Sequence, residues 1–282
     1  QKSAFVKIKY NHLFSFAIIK QSAPYALLIL LMTFYYRSDS VMLEKLLEDG
    51  SRQAGYYAQA YRFFEAGNMV AYLFSVLLLP IFSKMIKEKQ VLNGIIDISF
   101  KMMFSGAIIL SVLCFQFGEE ILNWRYHDLS HQSVHLFSVL MFCFVCISST
   151  YVFGTLLTAN GDLRVLNLLA GSAVVVNIGL NLLFIPRWQA LGSAVASLIT
   201  QLVVSIVQII VSKKKFDIRT TFSGFTQFFF FVFGVLSLSY ISYFYVSNWV
   251  VAMVVFVLSS FVFALLIRMI PIKRMTYIVI NE

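Results

Sequence analysis

Residues 174–201 read VVVNIGLNLLFIPRWQALGSAVASLITQ. This stretch closes one long apolar run at Ile185-Pro186, turns through Arg187 and Trp188, and opens another at Gly192. Each flanking run is long enough for a membrane helix, which needs about 20 apolar residues to cross a hydrocarbon core about 30 Å thick. A turn of so few residues forces the two helices to lie antiparallel. Seen down a helix, Asn167, Gly171, Val174, Asn177 and Asn181 fall along one side of the first run. Ser193, Ser197, Gln201 and Gln208 align on the second, with Gly192 and Ala196 as a small-xxx-small pair. Close helix packing with interhelical hydrogen bonds accounts for such rows better than solute contact does.

Outward from this stretch the pattern repeats. The chain of 282 residues is 60% hydrophobic, 16% aromatic and 12% charged, with mean hydropathy +0.82. Average soluble chains are about 25% charged, so a soluble core cannot hide this much apolar side chain. The reading is an all-α polytopic membrane protein with eight transmembrane helices, at about 13–36, 56–82, 95–117, 133–158, 165–185, 190–211, 223–246 and 248–270. Pro24 should kink the first. The connections are too short for a soluble catalytic domain. The opening QKSAFVKIKYNH reads as a loop between helices, with a further N-terminal part expected before it. Cys114, Cys143 and Cys146 lie inside apolar runs and read as buried small side chains.

The net charge of +9 does not point to nucleic acid, because the basic residues form small clusters between apolar runs. Sixteen of the 22 Lys and Arg residues fall on one set of connections, around Lys2–Lys20, Lys84–Lys101, Arg164, Lys213–Arg219 and Arg268–Arg274. Arg37, Lys45, Arg52, Arg62, Arg125 and Arg187 make up the other set. By the positive-inside rule both termini of this segment are cytoplasmic.

Ionisable groups inside apolar helices are the candidates for chemistry, since a charge there normally faces a partner or a wet cavity. In the second helix Tyr57, Tyr61, Glu65, Asn68 and Tyr72 fall within about 80° of one another, with Arg62 beside them. Two readings stand: an Arg62–Glu65 pair snorkelling to the interface, or the lining of a water-filled path, which the inward run of tyrosines and asparagine favours. Residues 37–52 read mainly as a helix end and turn in water, broken at Gly50 and Gly55. Arg37 and Asp39, two residues apart, cannot share a helix face. Lys20 near the cytoplasmic end is placed to snorkel. His127, His131 and His135 could share one face, but three successive turns spread the rings over about 12 Å, too far for one ion. No metal and no cofactor is expected. No nucleotide-binding glycine loop, nucleophile elbow, zinc-helix motif or D-x-D pair is present, so no enzymatic role and no use of ATP is expected.

The run from Val174 to Gln201 resembles the signature of Wzx-type polysaccharide flippases of the multidrug/oligosaccharidyl-lipid/polysaccharide exporter superfamily. Asn177, Asn181, Ile185, Pro186, Trp188, Gly192, Ser193 and Ala194 occupy its places. RSDSVML followed by GYYAQAYRFFE is similar to the family's entry into its second half, and LLLPIFSKM to the end of the next helix. The resemblance implies a MATE-like V of two six-helix bundles. Residues 1–212 would be the second bundle, and 213–282, opening on the basic linker SKKKFDIRTTF, an additional pair of helices with a cytoplasmic tail. It implies movement of undecaprenyl-diphosphate-linked oligosaccharide across the bacterial inner membrane by alternating access, for surface polysaccharide such as O-antigen. The implied partners are that lipid-linked oligosaccharide, the bilayer, and a polysaccharide polymerase with chain-length machinery. Arg62 then becomes the candidate diphosphate contact. Glu65, Asn68, Tyr61, Arg37, Lys20, Asn177 and Asn181 would join it in the cavity, with Glu65 and Asp39 the candidates for a coupling ion. An ion-coupled exporter of drugs or lipid precursors in the same superfamily is the nearest alternative. A membrane-embedded glycosyl transferase or ligase is weaker, because the longest outer loop, GEEILNWRYHDLSHQS, offers only Glu119, Glu120, His127 and Asp128.

Overall fold

The computed structural model describes residues 12–126, 131–218 and 222–270. Among the described residues every regular element is helical: α1 (His12–Leu46), α2 (Gly50–Lys87), α3 (Asn93–Gln116), α4 (Gly118–Arg125), α5 (His131–Ala159), α6 (Leu163–Phe216), α7 (Phe222–Tyr245) and α8 (Trp249–Leu266). Seven of these, all except α4, are long and apolar enough to cross a membrane. Over the described residues the chain is all-helical, and it is of the multi-pass membrane type.

The difference between seven long helices and eight expected spans lies in α6. The backbone leaves helical geometry at Gln189, with φ 52° and ψ −131°, three residues after Pro186. The side chains of Asn177 and Ser197 then meet at 3.2 Å, although twenty residues of straight helix would hold them about 30 Å apart. The chain therefore doubles back at Gln189, making two antiparallel limbs, residues 163–188 and 190–216. Gly192 is dictated by this reversal: a Cβ there would sit 2.3 Å from the Phe184 carbonyl oxygen. Gly192→Ala should destabilise the protein by about 2–4 kcal/mol, at the large end for point changes. Gly179→Ala, where a Cβ meets nothing within 4 Å, should stay within about 1 kcal/mol of wild type. Thermal unfolding of the two purified variants in detergent checks the contrast.

The polar segment 37–52 departs from its expected form. α1 continues to Leu46 and α2 begins at Gly50, leaving only residues 47–49 as a turn. Gly55 lies inside α2 and breaks nothing, whereas Gly50 is needed, because a Cβ there would lie 2.5 Å from the Glu44 carbonyl oxygen. Beside this turn, Gln53 ties α2 to the α6 reversal. Its amide nitrogen donates to Gln189 at 2.9 Å and to Asp49 at 3.0 Å, and its oxygen accepts from the backbone N–H of Ala190. Residues 118–125, expected as loop, form α4, with Glu119 and Glu120 in its first turn, where the helix dipole favours acids.

α5 is the hub, packed against α2, α3 and α6, while α1 lies on α6 and α2. The largest apolar cluster joins α2 to α5 through Tyr57, Phe64, Leu140, Met141 and Phe144. α7 and α8 pair with each other and lean on α3, through Phe231, Val235, Phe256 and Val112. At the far end from Gln189, the ammonium of Lys215 pairs with Asp162, so the basic run Lys213–Lys215 is the last turn of α6 rather than a free linker.

Candidate functional site

The reversal of α6 brings three helices around one carboxylate. Asp39, on α1, is 3% exposed. Its Oδ1 accepts from the Asn181 amide at 2.7 Å. Its Oδ2 accepts from the Tyr57 hydroxyl of α2 at 2.7 Å and from the Ser197 hydroxyl of the second α6 limb at 2.5 Å. A second ring of bonds holds these donors in place. Asn177 accepts from Asn181 at 3.0 Å and from Ser38 at 3.2 Å, and donates to Ser197 at 3.2 Å. Asn177 and Asn181, four residues apart, present both amides to the same face of the first limb, and both are fully buried.

A buried carboxylate normally needs a cation or several donors, because burying a bare charge costs far more than a hydrogen bond returns. Here three neutral donors serve. The described ion pairs of Lys101 with Asp97 and Lys215 with Asp162 lie elsewhere, and the donors that reach Asp39 are Tyr57, Asn181 and Ser197 rather than a Lys or Arg. The titratable groups around it are Tyr35, Tyr36, Tyr57, Tyr61 and Cys143. They enclose a void of about 10 Å³ against the carboxylate, close to the smallest space that holds one water. The Oδ1 of Asn181 is buried without a hydrogen-bond partner.

On the other side of Tyr35 and Tyr36 lies a larger cavity, of about 260 Å³, between α1, α2, α5 and both limbs of α6. Its polar lining is Tyr72, Tyr151, Gln201 and Gln208 with several Ser and Thr hydroxyls.

The structure thus assembles Asp39, Asn177 and Asn181 into one network and leaves the other expected residues outside it. Arg62 and Glu65 are both exposed on α2, and neither makes an ion pair among the described residues. Arg37 and Lys20 are exposed on α1; Arg37 turns outward where Asp39 turns inward, as their spacing requires. Asn68 is half-buried with its Oδ1 unpartnered. Tyr61 stacks on Tyr57 at 5.6 Å between centroids and borders the small void. None of the eight expected cavity residues, Arg62, Glu65, Asn68, Tyr61, Arg37, Lys20, Asn177 or Asn181, lines the 260 Å³ cavity. His127 lies outside the described residues; His131 begins α5, and His135 is exposed. No group of three metal-ligating side chains occurs among the described residues.

No spacing in the sequence pairs Tyr57 or Ser197 with Asp39. The row Ser193, Ser197, Gln201, Gln208 was a usable signal that the second limb turns a polar face inward; what it faces depends on how the helices pack. No protein-family model matches this sequence, and a search of curated proteins returns no significant match.

Proposed function

We propose that this chain belongs to an ion-coupled flippase that carries undecaprenyl-diphosphate-linked oligosaccharide from the inner to the outer leaflet of the bacterial inner membrane. The observation that supports transport is Asp39: a buried carboxylate, held by hydroxyl and amide donors without a cation, where three helices of an apolar chain meet. An ionisable group inside a membrane helix costs several kcal/mol and is kept for pathways and proton or ion relays. The cargo rests on the resemblance of residues 174–201 to polysaccharide flippases. In this reading the two limbs of α6 cross separately, giving eight crossings, residues 1–212 form one MATE-like bundle, and the basic connections face the cytoplasm. Arg62 and Glu65, exposed on α2, belong to the cargo path in this reading, and Arg62 takes the diphosphate.

Two experiments bear on this. Reporters fused at 88, 162 and 216 should read cytoplasmic, and at 49, 126 and 188 external; any two reversed assignments would sink the topology. For the activity, the purified protein is placed in liposomes with a fluorescent undecaprenyl-diphosphate-linked oligosaccharide in both leaflets. A membrane-impermeant quencher should bleach the whole population when protein is present and about half without it. Equal bleaching in both would remove the flippase reading. The absence of charge around the 260 Å³ cavity favours one second reading, an exporter of neutral amphipathic molecules of the same superfamily.

A further inference from the structure

We propose that the cavity between α1, α2, α5 and the two limbs of α6 binds a neutral, hydroxyl-bearing ring with an apolar flank, the chemistry of an alkyl glycoside. At about 260 Å³ it falls just below the range of drug-sized pockets, roughly 300–1,000 Å³. That is room for one ring and part of a chain, not for an oligosaccharide.

The lining selects against charge. It contains no Asp, Glu, Lys, Arg or His, so a phosphate or an ammonium entering it would shed its hydration with no counter-charge in return. It is not an apolar hole either. Tyr35, Tyr36, Tyr72 and Tyr151 offer ring faces, and Gln201 and Gln208, 6% and 5% exposed, bring amides to its wall. The Oε1 of Gln208 has no hydrogen-bond partner, though native chains leave few buried polar atoms unsatisfied. An amide oxygen is an acceptor, so the missing partner is a donor, and the uncharged wall requires a neutral one: a hydroxyl. Gly154 stands 3.6 Å from that oxygen, measured from where its Cβ would be. Leu28, Leu31, Leu166 and Val204 supply the surface for the apolar flank.

Tyr35 borders both this cavity and the void at Asp39, so an occupant touches the same side chain that packs against the carboxylate. That the ring belongs to the transported glycan rests on the flippase reading; binding itself does not.

The test uses the full chain in phosphatidylcholine nanodiscs and a diazirine-bearing octyl glucoside, with labelled peptides located by mass spectrometry. Label should concentrate in residues 147–158 and 201–208, and excess octyl glucoside should displace it while octyl sulfate does not. Gln208→Leu, which removes the acceptor, should lower labelling about five- to ten-fold, the loss expected for a buried hydrogen bond, and Ala170→Phe, which fills the cavity, should lower it at least as far. If Ala170→Phe does not fold, Gln208→Leu decides alone. Label spread over the exposed faces of α7 and α8, equal displacement by octyl sulfate, or undiminished labelling of Gln208→Leu would overturn the site. Saturable cavity labelling without glycolipid transport would keep this site and remove the flippase reading. Transport without cavity labelling would do the reverse.

Discussion

Replacing Asp39 with alanine is expected to destabilise the helix bundle more than any other single polar change. Tyr57, Ser197 and Asn181 would all lose their acceptor in one step. Each buried donor left alone costs about 1–3 kcal/mol, so the total is several kcal/mol unless water enters the enlarged void. Thermal unfolding should fall by about 2–4 °C for each kcal/mol lost in a domain of this size class. Asp39→Asn should behave differently. The side chain keeps one oxygen for Tyr57 and Ser197, and Asn181 can turn its free Oδ1 toward the new amide. That variant should fold, with a modest drop in stability, and should lose transport. Destabilisation alike in both variants, with transport surviving in Asp39→Asn, would make the carboxylate a structural acceptor and nothing more.

Arg62 should give the opposite pattern, a large functional effect with little structural one. It is exposed and unpaired among the described residues, so Arg62→Ala should leave stability within about 0.5 kcal/mol of wild type. If Arg62 holds the diphosphate, transport should fall at least about ten-fold, since a charged hydrogen bond is worth about 1.5–3 kcal/mol and each 1.4 kcal/mol is a factor of ten. Arg62→Lys should restore only part of it, because lysine keeps the charge but not the bidentate fork. The change Arg62→Gln with Glu65→Gln separates the alternatives. In the structure the two side chains do not pair, so the double change should be as inactive as Arg62→Ala. Near-normal transport in the double variant would show that the two charges only balance each other, and would remove Arg62 from the cargo path.

The reversal at residues 185–192 was legible because three local signals agree: Pro186 ends one helix, Trp188 marks the turn, and Gly192 permits the close backbone approach. The membrane class was equally plain, since apolar length depends on composition alone. The ends of α1 and α2 were not legible. Hydropathy drops where charges begin at Arg37, but a helix continues as long as its backbone bonds and neighbours hold it, here to Leu46. The site divided along the same line. Asn177 and Asn181 share a face by spacing, and Arg37 and Asp39 must diverge by spacing. That Asp39 is the inward member, and that it meets Tyr57 and Ser197, depends on how α1, α2 and the second α6 limb cross, which no local pattern encodes. The Arg62–Glu65 spacing permits a pair; it does not require one, and the exposed face of α2 leaves both free.

Whether Asp39 couples an ion to movement is measured most directly by translocation of the fluorescent lipid-linked oligosaccharide in proteoliposomes, with and without an imposed proton or sodium gradient, for wild type and Asp39→Asn. One of the two gradients should accelerate the wild type, and the folded Asp39→Asn variant should not respond to either. A variant that still responds to the gradient as the wild type does would contradict the account and return Asp39 to the role of a packing group.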